Sequence, residues 1–168
     1  MRAFVPLVAI LALLPGPVLV HAQEVAQNPA TAPDAEPAPQ APAQPRTGDA
    51  WIDAHLLDMD LYAARFADAF VDEIVRYHEA PRELVEAALA GGGLRPGDVY
   101  FACALAQAGG RSCRTVLEAR RQDPAAGWEA IAAGLEVAPA VYRRIRGDIT
   151  ESYVRWARPL VSGTPSNP

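Results

Sequence analysis

Between two glycine runs, Gly91-Gly92-Gly93 and Gly109-Gly110, lies a stretch of chain that cannot face water. From Val99 to Ala108 every residue except Gln107 is apolar. A helix that is apolar all round must be covered on every side, so this segment predicts a central core helix, with Asp98 as its cap. Nowhere does the chain alternate β-branched and polar residues as a half-buried strand would.

The remaining periods are helical too. Trp51, His55, Met59, Tyr62, Phe66, Phe70, Ile74 and Tyr77 recur every three or four residues, with an acidic stripe of Asp49, Asp53, Asp60, Asp68 and Asp72 opposite. One helix from Asp49 to Glu79 would be ~46 Å long, too long for a domain of this size, whose radius of gyration is about 13 Å. A break is expected near Asp58–Asp60 or Ala67–Asp68. Pro81 opens a short helix ended by Gly91-Gly92-Gly93, and Ser112 caps a helix carrying Cys113, Val116, Leu117 and Arg120 on one face. Asp123-Pro124 begins a helix with Trp128, Ile131, Ala132 and Leu135 inward. Pro139 begins the last, with Tyr142, Ile145 and Ile149 inward and Arg143 and Arg146 outward. The fold class predicted is all-α, a compact bundle of five to seven short helices with αα-hairpins.

The N-terminal part reads differently. Arg2, an apolar run from Phe4 to Val20 and the small-x-small Val20-His21-Ala22 form a cleavable export signal over residues 1–22. The run is too short and too broken by Pro15-Gly16-Pro17 to span a bilayer, which takes about 20 apolar residues. No transmembrane segment is expected after cleavage, and the protein is expected to be periplasmic or secreted. Residues 23–47 hold six prolines (Pro29, Pro33, Pro37, Pro39, Pro42, Pro45) and one large apolar side chain, Val25. Such a segment buries too little surface to repay its ordering entropy, so a disordered Ala/Pro-rich tether is expected. The helical domain is placed at 48–160 and a frayed tail at 161–168.

Charge bears on partners. All 15 basic residues are arginine and the net charge is −5, the wrong sign for a generic nucleic-acid binder. Asp49–Glu86 carries ten acids against Arg65, Arg76 and Arg82, whereas Arg111–Arg158 carries nine arginines against six acids. The two halves face each other, or merely carry differently solvated faces, or Arg111, Arg114, Arg143 and Arg146 offer a surface to an anionic envelope component, whether protein, peptidoglycan or lipid head group.

Three motifs bear on function. Ile131-Ala132-Ala133-Gly134-Leu135-Glu136-Val137-Ala138-Pro139-Ala140-Val141 resembles the helix-turn-helix of bacterial repressors, with Glu136 where that tight turn prefers glycine. Gly127-Trp128-x-x-Ile131-Ala132-x-x-Leu135-x-Val137-x-Pro139 resembles a pattern of small exported all-helical proteobacterial proteins. That resemblance covers the last third of the domain strongly and the Tyr100-to-Arg114 region loosely, departs at Glu136 and Ala138-Pro139-Ala140, and implies a fold and a compartment but no catalytic activity. Glu151-Ser152 is similar to the pair that opens the catalytic helix of lytic transglycosylases. It implies an alternative, a peptidoglycan glycosidase acting around Glu151, although the Gly-Leu-Met-Gln segment of that family is missing. Asp58-Met59-Asp60 lacks the later ligand and glycine of a calcium loop. His55 and His78 are read as ordinary helix-face residues, Gly91–Arg95 lacks the end of a P-loop, and neither cofactor nor metal is expected. The reading that results is an exported helical binding or scaffold protein without catalytic residues.

Cys103 and Cys113 are the two cysteines. Export favours their pairing, and closing so short a loop stabilises by about 2.5–3 kcal/mol on chain-entropy grounds. The alternatives are two buried thiols or a redox-active pair, for which the spacing is not Cys-x-x-Cys. For the repressor-like hairpin, a mobility-shift titration at physiological salt is expected to show no duplex-DNA binding, because Asp148 and Glu151 offset Arg143, Arg144 and Arg146. Salt-dependent micromolar binding would contradict that.

Overall fold

A computed structural model of the chain describes residues 44–162. The export signal, residues 23–43 of the tether and residues 163–168 of the tail lie outside the described residues. The described chain is all-α, with seven helices: α1 (Ala50–Arg65), α2 (Ala67–Tyr77), α3 (Arg82–Ala90), α4 (Pro96–Ala108), α5 (Cys113–Gln122), α6 (Trp128–Gly134) and α7 (Val141–Arg155). Among the described residues, no helix is long and apolar enough to cross a membrane.

The apolar segment is the central helix. Every residue of α4 from Gly97 to Ala106 is buried, and α1, α5 and α7 pack around it. Its approach to α1 depends on Gly97: a Cβ there would overlap the Leu56 carbonyl. The Gly97 N–H meanwhile donates to Asp60 Oδ1 at 2.7 Å. Asp98 caps the helix from its third position rather than from the N-cap, which is Arg95: its carboxylate accepts the Arg95 backbone N–H in a capping box. The helix begins at Pro96, and Asp98 sits in its first turn, where its carboxylate accepts from Arg95 Nε at 3.0 Å and from the Trp128 indole N–H at 2.6 Å. It therefore ties α6 to α4.

The long helical period breaks at Phe66, whose φ of −135° ends α1 and leads into α2, so the second of the two expected positions is the real one. Phe66 and Tyr77, inward by periodicity, are exposed as a result. Asp49 caps α1 by accepting from the Trp51 and Ile52 N–H groups, and Ser112 caps α5 by accepting from Thr115 N–H. Asp123-Pro124 does not start α6. Asp123 Oδ1 accepts Ala126 N–H in a turn, and the helix starts at Trp128.

The fold also starts earlier and ends later than composition places it. Pro45 and Thr47 are buried, the carbonyls of Pro45 and Arg46 accept from the N–H groups of Trp128 and Glu129, and Thr47 donates to Asp53. At the other end Val161 N–H donates to His55 Nε2 at 3.2 Å. That bond fixes the tautomer: His55 Nδ1 donates to the Trp51 carbonyl at 2.7 Å and Nε2 keeps its lone pair.

Helices α4, α6 and α7 end alike, with a left-handed residue and a 6→1 hydrogen bond: Arg111 N–H to Ala106, Val137 N–H to Ala132, Arg158 N–H to Tyr153. Gly110 takes the left-handed position in α4, but Glu136 and Ala157 take it with φ of 56° and 52°, where a Cβ is unfavourable. Glu136→Gly is expected to raise stability by about 0.5–1 kcal/mol, after the extra chain entropy of glycine is subtracted. Gly97→Ala is expected to lower it by about 1–3 kcal/mol. Urea midpoints of the two variants against the parent chain check both signs.

Candidate functional site: a cation-lined cleft at the start of α5

Where α2 ends, α3 begins and α4 turns back into α5, the chain leaves a cleft of about 360 Å³. His78 and Glu79 enter from the end of α2, Pro81 and Leu84 from α3, and Gln107 from the last turn of α4. Arg111, Ser112, Cys113 and Arg114 come from the turn and the first residues of α5. Opposite α3 the wall is therefore a helix N-terminus, where N–H groups lack intrahelical acceptors and anions are favoured, with an arginine on each side of Ser112-Cys113. Arg111 is held by a hydrogen bond from Nη2 to the Leu135 carbonyl at 2.9 Å.

His78 is the buried polar residue of the cleft, 3% exposed. Its Nδ1 donates to Gln107 Oε1 at 3.3 Å and its ring meets Tyr100 edge-on. The Nε2 atom is buried and has no hydrogen-bond partner among the described residues. Burial holds the imidazole below its ordinary pKa, against the opposing pull of Gln107, Asp148 and Glu73. Asp148 on α7 is the complementary case: burial raises its carboxyl, the charge of His78 lowers it, and Oδ2 has no partner.

Behind His78 runs a fully satisfied polar chain. Tyr100 donates to Ser152 Oγ at 2.8 Å, Ser152 donates to Glu73 Oε1 at 2.7 Å, and Arg155 clamps the Glu73 carboxylate. Burial drives the Tyr100 phenol well above its usual pKa. Glu73 is 4% exposed, and nothing in the sequence marks it, since a lone Glu in an amphipathic helix reads as solvated.

Of the four arginines expected to share a surface, the structure joins two. Arg111 and Arg114 line the cleft, whereas Arg143 is exposed on α7 and Arg146 binds both oxygens of Asp49, at 2.7 and 2.8 Å, over the Trp51 ring. Cys103 and Cys113 lie with their Sγ atoms at bonding distance and Cα atoms 4.4 Å apart, and Cys113 is itself a wall of the cleft. His55 and His78, read as helix-face residues, are both buried. Glu151 has a side chain 72% exposed and pairs with Arg155. It lacks the apolar cleft that a glycosidase acid needs, and its neighbour Ser152 is committed to the buried chain. A second cleft, of about 380 Å³, holds Asp49, Glu129 and Tyr142 among apolar walls, with the Tyr142 phenol pushed up to about 12, chiefly by burial and then by Glu129.

Comparison of the chain with protein-family models, with curated proteins and with solved structures gives no significant match in any of the three.

The histidines set an acid-side stability limit. Burial is the main cause that depresses both His55 and His78, so the unfolded chain binds protons near the ordinary histidine value of about 6.5 while the folded chain stays neutral. Their contribution is complete above that pH and is lost as pH falls through it towards the folded values. Asp60 and Asp148, raised by burial, act in the opposite sense at lower pH. Urea midpoints are expected to fall between about pH 7 and 5.5, and to fall less in the His55→Gln and His78→Gln variants. Equal slopes in parent and variants would refute the assignment.

Proposed function

We propose that this protein is an exported helical binding module that holds an anionic group, a carboxylate or a phosphate, in the cleft of His78, Arg111 and Arg114. One observation carries the reading: two arginines and a buried imidazole with an unpartnered nitrogen converge on the N-terminus of one helix. In that arrangement Arg111 and Arg114 supply charge-assisted hydrogen bonds and the first turn of α5 supplies backbone N–H groups. Neutral His78 presents a lone pair at Nε2, so it assists an anion only by taking up a proton. Anion binding is thus coupled to proton uptake, with Asp148 as the counter-charge on the inner side.

Support for export comes from the signal-like residues 1–22, from the paired cysteines, which suit an oxidising compartment, and from the Gly127-Trp128 pattern, whose resemblance to small exported helical proteins implies the same compartment. The envelope component that carries the anionic group is the partner in this reading, and the module acts by binding it rather than by transforming it.

Titration with inorganic phosphate and with succinate, followed by NMR of the His78 imidazole and the Arg114 amide, tests the proposal. Both probes are expected to raise the pKa of the His78 imidazole on saturation, because a bound anion favours its protonated form. Arg114→Gln is expected to weaken binding by about tenfold, the scale of one lost charge-assisted bond. Neither probe moving these signals at low salt, or a His78 pKa that stays the same on saturation, would overturn it.

A further inference from the structure

The two sulfurs of the Cys103–Cys113 pair are placed unequally. Cys103 is fully buried, 0% exposed, in the middle of the apolar helix α4. Cys113 is the first residue of α5, 8% exposed, and lines the cleft. Two features that stabilise a thiolate converge on Cys113 and on no other thiol of the chain: its position at a helix N-terminus and the arginines at 111 and 114. A disulfide that serves only to staple two helices needs neither a cleft over one sulfur nor cations around it.

We propose that Cys103–Cys113 is a redox-active disulfide that exchanges with small anionic thiols bound in the cleft. The inference rests on the anion-binding reading, since it uses the same arginines to hold the carboxylate of the incoming thiol. In the first step the thiolate attacks Cys113 Sγ. A bond forms between the incoming sulfur and Sγ, the bond between the protein sulfurs breaks, and Cys103 leaves with the electron pair and takes a proton from solvent. In the second step another thiolate attacks the incoming thiol's sulfur in this mixed disulfide and releases Cys113 as a thiolate, held by Arg111, Arg114 and the α5 N-terminus. Two thiols are oxidised to one disulfide, and the protein disulfide is reduced to two thiols. Attack falls on Cys113 because access selects it, while the cations favour the reduced state by stabilising the thiolate that results.

The test is the rate at which the parent chain loses its disulfide to three thiols: glutathione, which is anionic, 2-mercaptoethanol, which is neutral, and cysteamine, which is cationic. Rates are corrected for the thiolate fraction of each reagent and read by acid quench, alkylation and mass spectrometry. Glutathione is expected to react about tenfold faster than 2-mercaptoethanol at low salt and cysteamine slower than both, an order that screening by 1 M salt removes. The glutathione adduct is expected on Cys113, and Arg114→Gln is expected to collapse the order of rates. Rates that do not depend on charge, or an adduct on Cys103, would overturn the proposal. If phosphate binding persists while the charge order is missing, the redox inference alone fails; if both are missing, the anion-binding reading fails with it.

Discussion

Everything in this domain answers to the apolarity of α4. A helix with no polar face has to be walled in on every side, and the other six helices supply those walls. Polar groups can approach it only where its backbone or its few polar side chains need partners. At its start, Gly97 and Asp98 reach Asp60, Arg95 and Trp128. Half-way along, Tyr100 reaches Ser152. At its end, Gln107 meets His78 and the chain turns through Gly110 into α5. The cleft lies at that end because there the core helix stops and the chain must reverse.

The contrast between two neighbouring polar clusters gives the cleft its meaning. Burying Glu73 has a desolvation cost that its attraction to Arg155 alone does not guarantee to offset, yet here every partner is in place: Tyr100 to Ser152, Ser152 to Glu73, Arg155 to Glu73. Buried polar atoms in native proteins are nearly always satisfied in this way. His78 Nε2 and Asp148 Oδ2, beside that chain, are not. The residue that carries the unpaired nitrogen also lines the cleft with two arginines, and the satisfied network beside it ties α2, α4 and α7 together.

The sequence displays the class, the central helix, the Ser112 cap and the cysteine pairing because each rests on local composition or on a short loop. It does not display where the long helical period breaks: the apolar spacing runs on through Phe66, and only the folded backbone decides that Phe66 and Tyr77 face outward. Asp98 reads as a cap because Asp before an apolar run usually is one, and its bond to the Trp128 indole spans 30 residues. The cleft was half legible. Arg111 and Arg114 stand out, with Arg143 and Arg146, as an arginine-rich surface, but His78 joins them only through the packing of α2 against α4, which no spacing along the chain records. A depressed histidine with one orphan nitrogen is a property of that packing and has no one-dimensional signature.

The opposed charges of the two halves also take on a structural role. Asp49 of α1 is bound by Arg146, Asp58 of α1 by Arg158, and Glu73 of α2 by Arg155. The acidic front half is thus laced to the arginine-rich C-terminal helix. Such pairs contribute little stability when exposed, but they settle which cations are free for other work. Arginines on and just after α7 are drawn inward by the acids of α1 and α2, which is why Arg146 does not join an anion-binding surface. Those acids do not reach the turn between α4 and α5. Arg111 and Arg114 form no ion pair among the described residues, and they share the cleft with a helix N-terminus, a buried imidazole and Cys113 of the disulfide. In a chain of net negative charge, the cleft is where two arginines stay outside the ion pairs of the fold and outnumber the single acid, Glu79, that shares the site with them.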